Sequence, residues 1–267
     1  MSSRLLAAAC VTLALLSAAP PAFARSDAGE ERVVVLGAAA VYRPEYKGAD
    51  DYEFQPFPYL SVRYPVRGMS LSLQGADLKL DILDSETVSF GPVLSYEQGR
   101  DDDISNEVVR RLATIDGAFL GGVHGEIERP LGRGALRAGA TILTDLSGVH
   151  EGYSATLHAG YRFPLTSKLS AGLGGHVKWA DENYMQTYYG VTASGAVASG
   201  LSAYRPESGL ERAGVDASLT YRLTEKWGVA LIASFDRLSS AAADSPIVLR
   251  EGAREQYTSA FALFYRF

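Results

Sequence analysis

Most of this chain alternates, residue by residue, between side chains that suit hydrocarbon and side chains that are small or polar. The clearest case is the end of the chain, where Phe261, Leu263, Tyr265 and Phe267 fall on one face of an extended segment. A period of two is typical of β-strands. Helical periodicity is weak, and only residues 105–112 could form a short helix. The pattern therefore predicts an all-β fold.

Turn signals divide the alternating segments into about twelve strands, within a range of about ten to fourteen. The predicted strands are 33–42, 57–64, 69–75, 76–83, 88–96, 113–128, 135–144, 153–163, 169–179, 209–222, 227–238 and 257–267. The range is this wide because residues 180–208 could hide a further hairpin.

The connections between these strands alternate in length. Short ones lie at 65–68, 84–87, 129–134, 161–169 and 221–227, and longer polar ones at 43–56, 97–112, 145–152, 180–208 and 239–256. This rhythm is typical of a transmembrane antiparallel up-and-down β-barrel, whose tight turns face the periplasm and whose long loops face outside. An even number of strands places both termini in the periplasm. A soluble β-sandwich is the alternative.

The N-terminus has the features of a secretory signal peptide. Arg4 precedes an apolar run, and Ala22 and Ala24 supply the small residues that signal peptidase accepts. We predict that residues 1–24 are removed and that residues 25–267 form a single barrel domain. An uncleaved anchor helix is the alternative, but the apolar run is shorter than the ~18 residues that span a bilayer. Export combined with a barrel predicts the outer membrane of a Gram-negative cell.

Composition removes several other classes of protein. The chain has 267 residues with a net charge of -6, and its basic residues are scattered, so nucleic-acid binding is not expected. A single cysteine excludes an intramolecular disulfide, and no Cys/His cluster with zinc spacing is present.

The histidines are the natural candidates for catalysis in a barrel hydrolase. His124 and Glu126 share a strand face about 6.6 Å apart, and Ser154 and His158 share another about 13 Å apart. The first pair has no hydroxyl at a matching position, and the second is too far apart for a hydrogen bond. We interpret these histidines, with His150 and His176, as members of a polar network, and we predict no catalytic, cofactor-binding or metal-binding residues.

Charged residues cluster in the first two long loops. Asp101 to Asp103, with Asp50 and Asp51, could chelate calcium or bridge to lipopolysaccharide through divalent ions. A solvated loop is the preferred interpretation, because the spacing of an EF-hand is absent. Arg100, Arg110 and Arg111 could contact lipid phosphates or pair with these carboxylates.

The segment after residue 180 is too apolar for a freely moving loop. Its large side chains are Tyr184, Met185, Tyr188, Tyr189 and Tyr204. We predict that it folds into the lumen or over the mouth and narrows the pore. The alternative is an additional hairpin in the wall.

Several short motifs, taken in order, resemble one family. They are Tyr46 to Gly48 followed by Pro58 and Tyr59, Tyr96 to Arg100, Trp179 to Met185 running into Tyr189 to Val191, and Asp244 to Ile247 ahead of a last strand that ends with Tyr265 to Phe267. Over essentially all of the mature chain, the sequence resembles the MipA/OmpV (MltA-interacting protein) family of Gram-negative outer-membrane proteins. The alternating residues up to the terminal Phe267 are also similar to the signal that the barrel-assembly machinery recognises.

The resemblance implies a function that the residues alone do not provide. It implies a non-enzymatic scaffold that brings a lytic transglycosylase together with a penicillin-binding protein, or a surface antigen or adhesin. Outer-membrane lipid and lipopolysaccharide are the expected surroundings. The alternatives are a small-solute pore and a barrel hydrolase.

Overall fold

A computed structural model describes residues 33–66 and 69–267. The predicted signal peptide, with its cleavage site at Ala22 and Ala24, lies outside the described residues.

Twelve antiparallel strands form one closed sheet. They are β1 Val33–Pro44, β2 Tyr52–Val66, β3 Met69–Gln74, β4 Asp77–Asp81 with its continuation Leu83–Asp84, β5 Val88–Glu97, β6 Ala118–Leu131, β7 Gly134–Asp145, β8 Tyr153–Pro164, β9 Leu169–Ala180, β10 Gly209–Arg222, β11 Trp227–Leu238 and β12 Glu255–Arg266.

The first and last strands close the ring. β1 pairs with β12 from Val35 opposite Arg266 to Tyr42 opposite Ser259, and the amide of Phe267 donates to the carbonyl of Val34 at 3.0 Å. Every other strand pairs with its neighbours in sequence. A closed antiparallel barrel of twelve strands confirms the predicted fold class and the predicted number of strands.

The outer surface carries an apolar belt between two rings of aromatic residues. The end of the barrel with the short connections is called the turn end, and the opposite end the loop end. At the turn end the exposed or half-exposed rings are Tyr161, Phe163, Tyr221, Trp227, Tyr265 and Phe267, and at the loop end Tyr42, Phe54, Phe119, Tyr153, Phe235 and Tyr257. Such girdles mark the two interfaces of a membrane. In β12, Phe261 and Leu263 face outward, whereas Ala260, Ala262 and Phe264 are buried inside.

Two strands differ from their predicted bounds by several residues. β2 begins at Tyr52 rather than residue 57, although Pro56 and Pro58 lack amide hydrogens. β3 pairs only with residues 61–66 of β2, so the stretch that contains Pro56 and Pro58 forms backbone hydrogen bonds only with β1. Its other edge is free, and proline is tolerated on a free edge. β6 begins at Ala118 rather than 113 and extends to Leu131.

All the helices among residues 33–66 and 69–267 lie in connections at the loop end. They are a 3₁₀ turn at Val109–Arg111, α1 Glu182–Tyr189, α2 Ala193–Ser199, α3 Ser240–Ala243 and α4 Pro246–Glu251. Two helices therefore occupy the segment that could have held another hairpin. The helix expected at 105–112 is reduced to a single turn. No helix in the described parts of the chain is long and apolar enough to cross a membrane.

Part of the lumen is filled with apolar side chains. A buried cluster on the inner faces of β1, β2, β11 and β12 includes Val35, Phe57, Tyr59, Ile232 and Phe264. The polar part of the lumen therefore lies against the opposite strands and beneath the loop end.

Candidate functional site: the closed mouth of the barrel

Helix α1 begins with a side-chain cap that also ties it to the barrel wall. Asp181 Oδ1 accepts a hydrogen bond from the amide of Tyr184 at 3.0 Å, which satisfies one free donor at the helix start. The same oxygen accepts from the amide of Tyr153, the first residue of β8, at 3.1 Å. The start of the helix is therefore fixed to the rim of the barrel.

One face of α1 is buried in the mouth. Tyr184, Met185, Tyr188 and Tyr189 are each at most 3% exposed, and their spacing places them on one side of a helix. They pack against a cluster that includes Ala180, Leu238, Ala242, Ala243 and Val248. Ser245 Oγ donates to the carbonyl of Tyr189 at 2.6 Å and holds the other end of the helix. We call this element the plug helix.

Beneath the plug helix, three strands contribute charged side chains to one buried cluster. Lys178 Nζ on β9 lies 3.3 Å from Glu97 Oε1 on β5 and 3.3 Å from Glu211 Oε2 on β10. The Tyr184 hydroxyl joins this cluster, because it accepts from Lys178 Nζ at 2.6 Å and donates to Glu97 Oε1 at 2.8 Å. The plug helix is therefore attached to the wall by hydrogen bonds to two charged groups.

The cluster extends in both directions around the lumen. Lys47 Nζ pairs with Glu97 at 2.8 Å, and Tyr189 donates to Glu211 at 2.9 Å. Arg212 Nη1 lies 3.3 Å from Glu211. We call Lys47, Glu97, Lys178, Glu211 and Arg212, with the two tyrosine hydroxyls, the mouth network. The Glu211 side chain is 0% exposed, and such a charge persists only with partners on several sides.

Burial sets the protonation of the loop residues in this network. Burial raises the pKa of the Tyr184, Tyr188 and Tyr189 hydroxyls, and the Glu211 and Glu97 carboxylates raise it further. The hydroxyls therefore stay protonated and can donate. Burial lowers the pKa of the Lys47 ammonium, and the Glu97 carboxylate opposes that shift.

A cavity of about 310 Å³ lies below the plug helix. Glu97, Lys178, Tyr188 and Tyr189 line it on the side of the network, and Asp216 lines it from the inner face of β10. We call it the mouth cavity. Its walls carry charged and aromatic side chains among aliphatic ones such as Leu120 and Leu143, a mixture typical of sites that bind small molecules through a few polar groups.

The histidines pair with carboxylates or pack on tyrosines, and the two pairs considered from the sequence do not form. His124 Nε2 lies 3.2 Å from Asp81 Oδ1, and His158 Nε2 lies 3.4 Å from Glu126 Oε2. The Ser70 hydroxyl donates to Asp81 at 3.0 Å. A serine hydrolase needs a serine hydrogen-bonded to histidine, whereas here the carboxylate lies between the two.

The other two histidines lie near the mouth. His176 Nε2 lies 2.7 Å from Asp236 Oδ1. The His150 ring packs on Tyr184 with ring centres 5.1 Å apart.

The charged residues of the first two long loops do not converge on a site. Asp101, Asp102 and Asp103 are exposed, and no group of three or more potential metal ligands occurs within residues 33–66 and 69–267. Arg110 lies 4.0 Å from Glu107. Arg100, in contrast, is buried and lines the mouth cavity.

Tyr204 lies apart from the other aromatic residues predicted for the mouth. Its hydroxyl donates to the carbonyl of Ala241 at 2.9 Å, and its backbone pairs with Val191 through two hydrogen bonds of 2.9 Å. It packs in a second loop cluster with Ile104, Leu201 and Ile247. The structure therefore places four of the five residues on the plug helix.

Sequence reasoning missed the charged members of the mouth network. Lys178, Glu211 and Arg212 were not selected, although charged residues at the loop ends of otherwise apolar or small-residue strands were visible. Lys47 and Glu97 lie within the motifs that carried the family resemblance, but those motifs gave no role to them.

Comparison with known proteins identifies a family. The family described as MltA-interacting protein MipA matches residues 36–267. The chain is 34% identical over 80 residues to the MltA-interacting proteins of Escherichia coli (strain K12) and Shigella flexneri. That match covers 30% of this chain and 31% of each relative, so less than a third of their length is compared.

Solved outer-membrane barrels are also similar to the chain. An outer-membrane channel from Pseudomonas putida F1 is 11% identical with a TM-score of 0.48, and the match covers 93% of this chain and 100% of the channel. The translocator domain of the autotransporter NalP from Neisseria meningitidis is 10% identical with a TM-score of 0.44, covering 91% and 90%. Because its closed barrel carries an apolar belt and the family match extends over residues 36–267, the chain belongs to the MipA family as an outer-membrane barrel.

Proposed function

We propose that this protein is a non-enzymatic scaffold of the outer membrane, which binds a murein-cleaving lytic transglycosylase at its turn end and brings it together with a penicillin-binding protein. In this arrangement, the turn end and both termini lie in the periplasm. The observation that supports it is the packing at the loop end: the plug helix and the mouth network lie inside this end of the lumen, which directs attention to the two ends of the barrel as surfaces for function.

The turn end has a surface suited to a partner. Arg129, Arg133, Lys168 and Lys226 are exposed there, and no ion pair joins any of them to a carboxylate within the described part of the chain. We call these four residues the cationic rim. Rim charges of this kind steer the association of an oppositely charged partner.

Backbone hydrogen bonds tie two turns of the rim to the ends of neighbouring strands. The amide of Arg222 donates to the carbonyl of Lys168 at 2.9 Å, and the amide of Arg266 donates to that of Lys226 at 2.8 Å. The turns of Lys168 and Lys226 are thus fixed to the barrel, and a partner would meet a preformed surface there. The name of the relatives, MltA-interacting protein, supports a lytic transglycosylase as that partner.

Recovery of partners from cross-linked envelopes tests the scaffold. The wild-type barrel should retain a lytic transglycosylase and a penicillin-binding protein, and a variant with all four rim residues changed to Gln should lose the transglycosylase. The matched control changes four exposed loop-end arginines to Gln, namely Arg110, Arg111, Arg237 and Arg250. Absence of both enzymes from the wild-type sample would refute the proposal.

A small-solute pore is the second candidate, and the mouth cavity is the observation that favours it. Large, steady single-channel conductance and swelling of liposomes in sugars would support the pore over the scaffold. A barrel that conducts only after replacement of residues 180–208 would show instead that this segment, which includes the plug helix, blocks it.

The absence of catalysis is tested by lipid profiles, which should be the same for the wild type and His124→Ala.

A further inference from the structure

The mouth cavity is lined by five Lys or Arg side chains, five Asp or Glu side chains and two histidines. Its volume, about 310 Å³, lies at the lower end of the range of about 300 to 1,000 Å³ for ligand sites. A lining that carries charges of both signs can bind an occupant that carries both. A small molecule that carries both charges fits it better than a simple anion or cation does.

Arg100 supplies an unpaired positive charge. Its side chain lines the cavity and the residue is only 7% exposed. One guanidinium nitrogen donates to the carbonyl of Ala113 at 3.2 Å, and the backbone is fixed by two hydrogen bonds to Ile115. No carboxylate pairs with Arg100 within the described residues. A buried guanidinium without a counter-ion is costly, so an anionic group in the cavity would relieve that cost.

Asp216 supplies a negative charge on the same lining. Its Oδ1 lies 3.9 Å from His176 Nδ1, at ion-pair rather than ordinary hydrogen-bond distance. Its side chain is 36% exposed, so it is accessible from the lumen. This carboxylate can accept hydrogen bonds from an ammonium group.

Two further atoms at the cavity lack hydrogen-bond partners among the described residues. They are Glu97 Oε2 and the hydroxyl of Tyr188, both buried. Buried polar groups are normally satisfied by protein, ligand or water. These two atoms therefore add hydrogen-bonding capacity to the lining of the cavity.

A break in the wall offers a route to the cavity. β3 pairs only with residues 61–66 of β2, and β4 reaches only Leu94 on β5. Above this short hairpin, within the described chain, residues 52–60 of β2 and 95–97 of β5 have no strand between them. Asp77 and Ser95, at the edge of the break, also line the cavity.

We propose that the mouth cavity binds a small zwitterion, of the size of an amino acid or dipeptide, with its carboxylate on Arg100 and its ammonium group on Asp216. This binding site is independent of the scaffold function, because it uses the opposite end of the barrel from the cationic rim.

Calorimetric titration of the detergent-solubilised full barrel tests the site. The probes are L-alanyl-L-alanine, its N-acetyl derivative and its C-terminal amide. The free dipeptide should bind saturably, and blocking either end should weaken binding about tenfold or more, the effect of losing one charge-assisted hydrogen bond. No saturable binding, or equal binding of all three probes, would overturn the proposal.

Two charge-removing variants then assign the ends. Arg100→Gln should bind the dipeptide and its amide equally while still discriminating against the N-acetyl form, and Asp216→Asn should show the reverse. Arg110→Gln, on the same loop but exposed, should keep both preferences. If the folded Arg100→Gln and Asp216→Asn proteins still discriminate against both the amide and the N-acetyl form, the ligand binds elsewhere and the assignment is wrong. If either variant fails to fold, as judged by heat-dependent gel mobility, the wild-type probe series still decides.

Discussion

Tyr184→Phe removes a single oxygen from the contact between the plug helix and the wall. The ring stays in its apolar cluster, while the hydroxyl that accepts from Lys178 at 2.6 Å and donates to Glu97 at 2.8 Å is lost. We expect the plug helix to leave the mouth more often, because this hydroxyl is one of its two links to the buried charges, the other being Tyr189 on Glu211.

The structure sets the size of the effect. A hydrogen bond to a charged group contributes about 1.5 to 3 kcal/mol. The direct contact between Lys178 and Glu97, at 3.3 Å, remains in the variant, so we expect a net loss of about 2 kcal/mol in docking free energy. That loss raises the undocked population about thirtyfold.

Chymotrypsin cleavage within the plug helix measures that population, because the cleavage rate follows the opened fraction when reclosing is fast. Chymotrypsin cleaves after phenylalanine as well as after tyrosine, so Tyr184→Phe preserves the cleavage site. Tyr204→Phe is the matched control, since its hydroxyl donates only to the neutral carbonyl of Ala241. If Tyr184→Phe is cleaved no faster than Tyr204→Phe, the charged link does not hold the helix and the reasoning is refuted.

Three other perturbations test separate parts of the structure. Burial lowers the pKa of His150 from its usual 6.5, so the docked state favours neutral imidazole; cleavage of the plug helix should be constant above that pH and faster below it, and His150→Asn should remove the dependence. Gly48→Ala should lower the free energy of unfolding in urea more than Gly200→Ala, because both have positive φ (88° and 78°) but only at Gly48 would the added Cβ meet a side chain, at 2.6 Å. Equal losses would show that packing at Gly48 is unimportant. Phe267→Ala should reduce the amount of folded barrel in the outer membrane, whereas Phe54→Ala, which removes an outward ring that is 76% exposed, should not. Equal amounts of folded barrel from the two variants would contradict the prediction that Phe267 belongs to an assembly signal.

The strand pattern was readable because a β-strand presents its side chains with a period of two, whatever its partners are. Residues 153–163, 169–179, 209–222 and 227–238 were predicted within a residue of their observed bounds. Errors occurred where pairing decides the boundary. The start of β2 was assigned to the long polar connection 43–56, and only the absence of a strand on one of its edges makes Pro56 and Pro58 acceptable in the strand.

The sequence by itself determined the barrel, its inward and outward faces, and the aromatic character of the segment that closes it. The tertiary structure decided that this segment is helical, since its tyrosines, Asn183 and Thr187 have only modest helix propensity and the Asp181 cap and packing in the mouth stabilise it. It also decided the mouth network. Glu97 and Tyr184 are 87 residues apart in sequence, and only closure of the ring brings β5, β9 and β10 around one point, which no local pattern encodes.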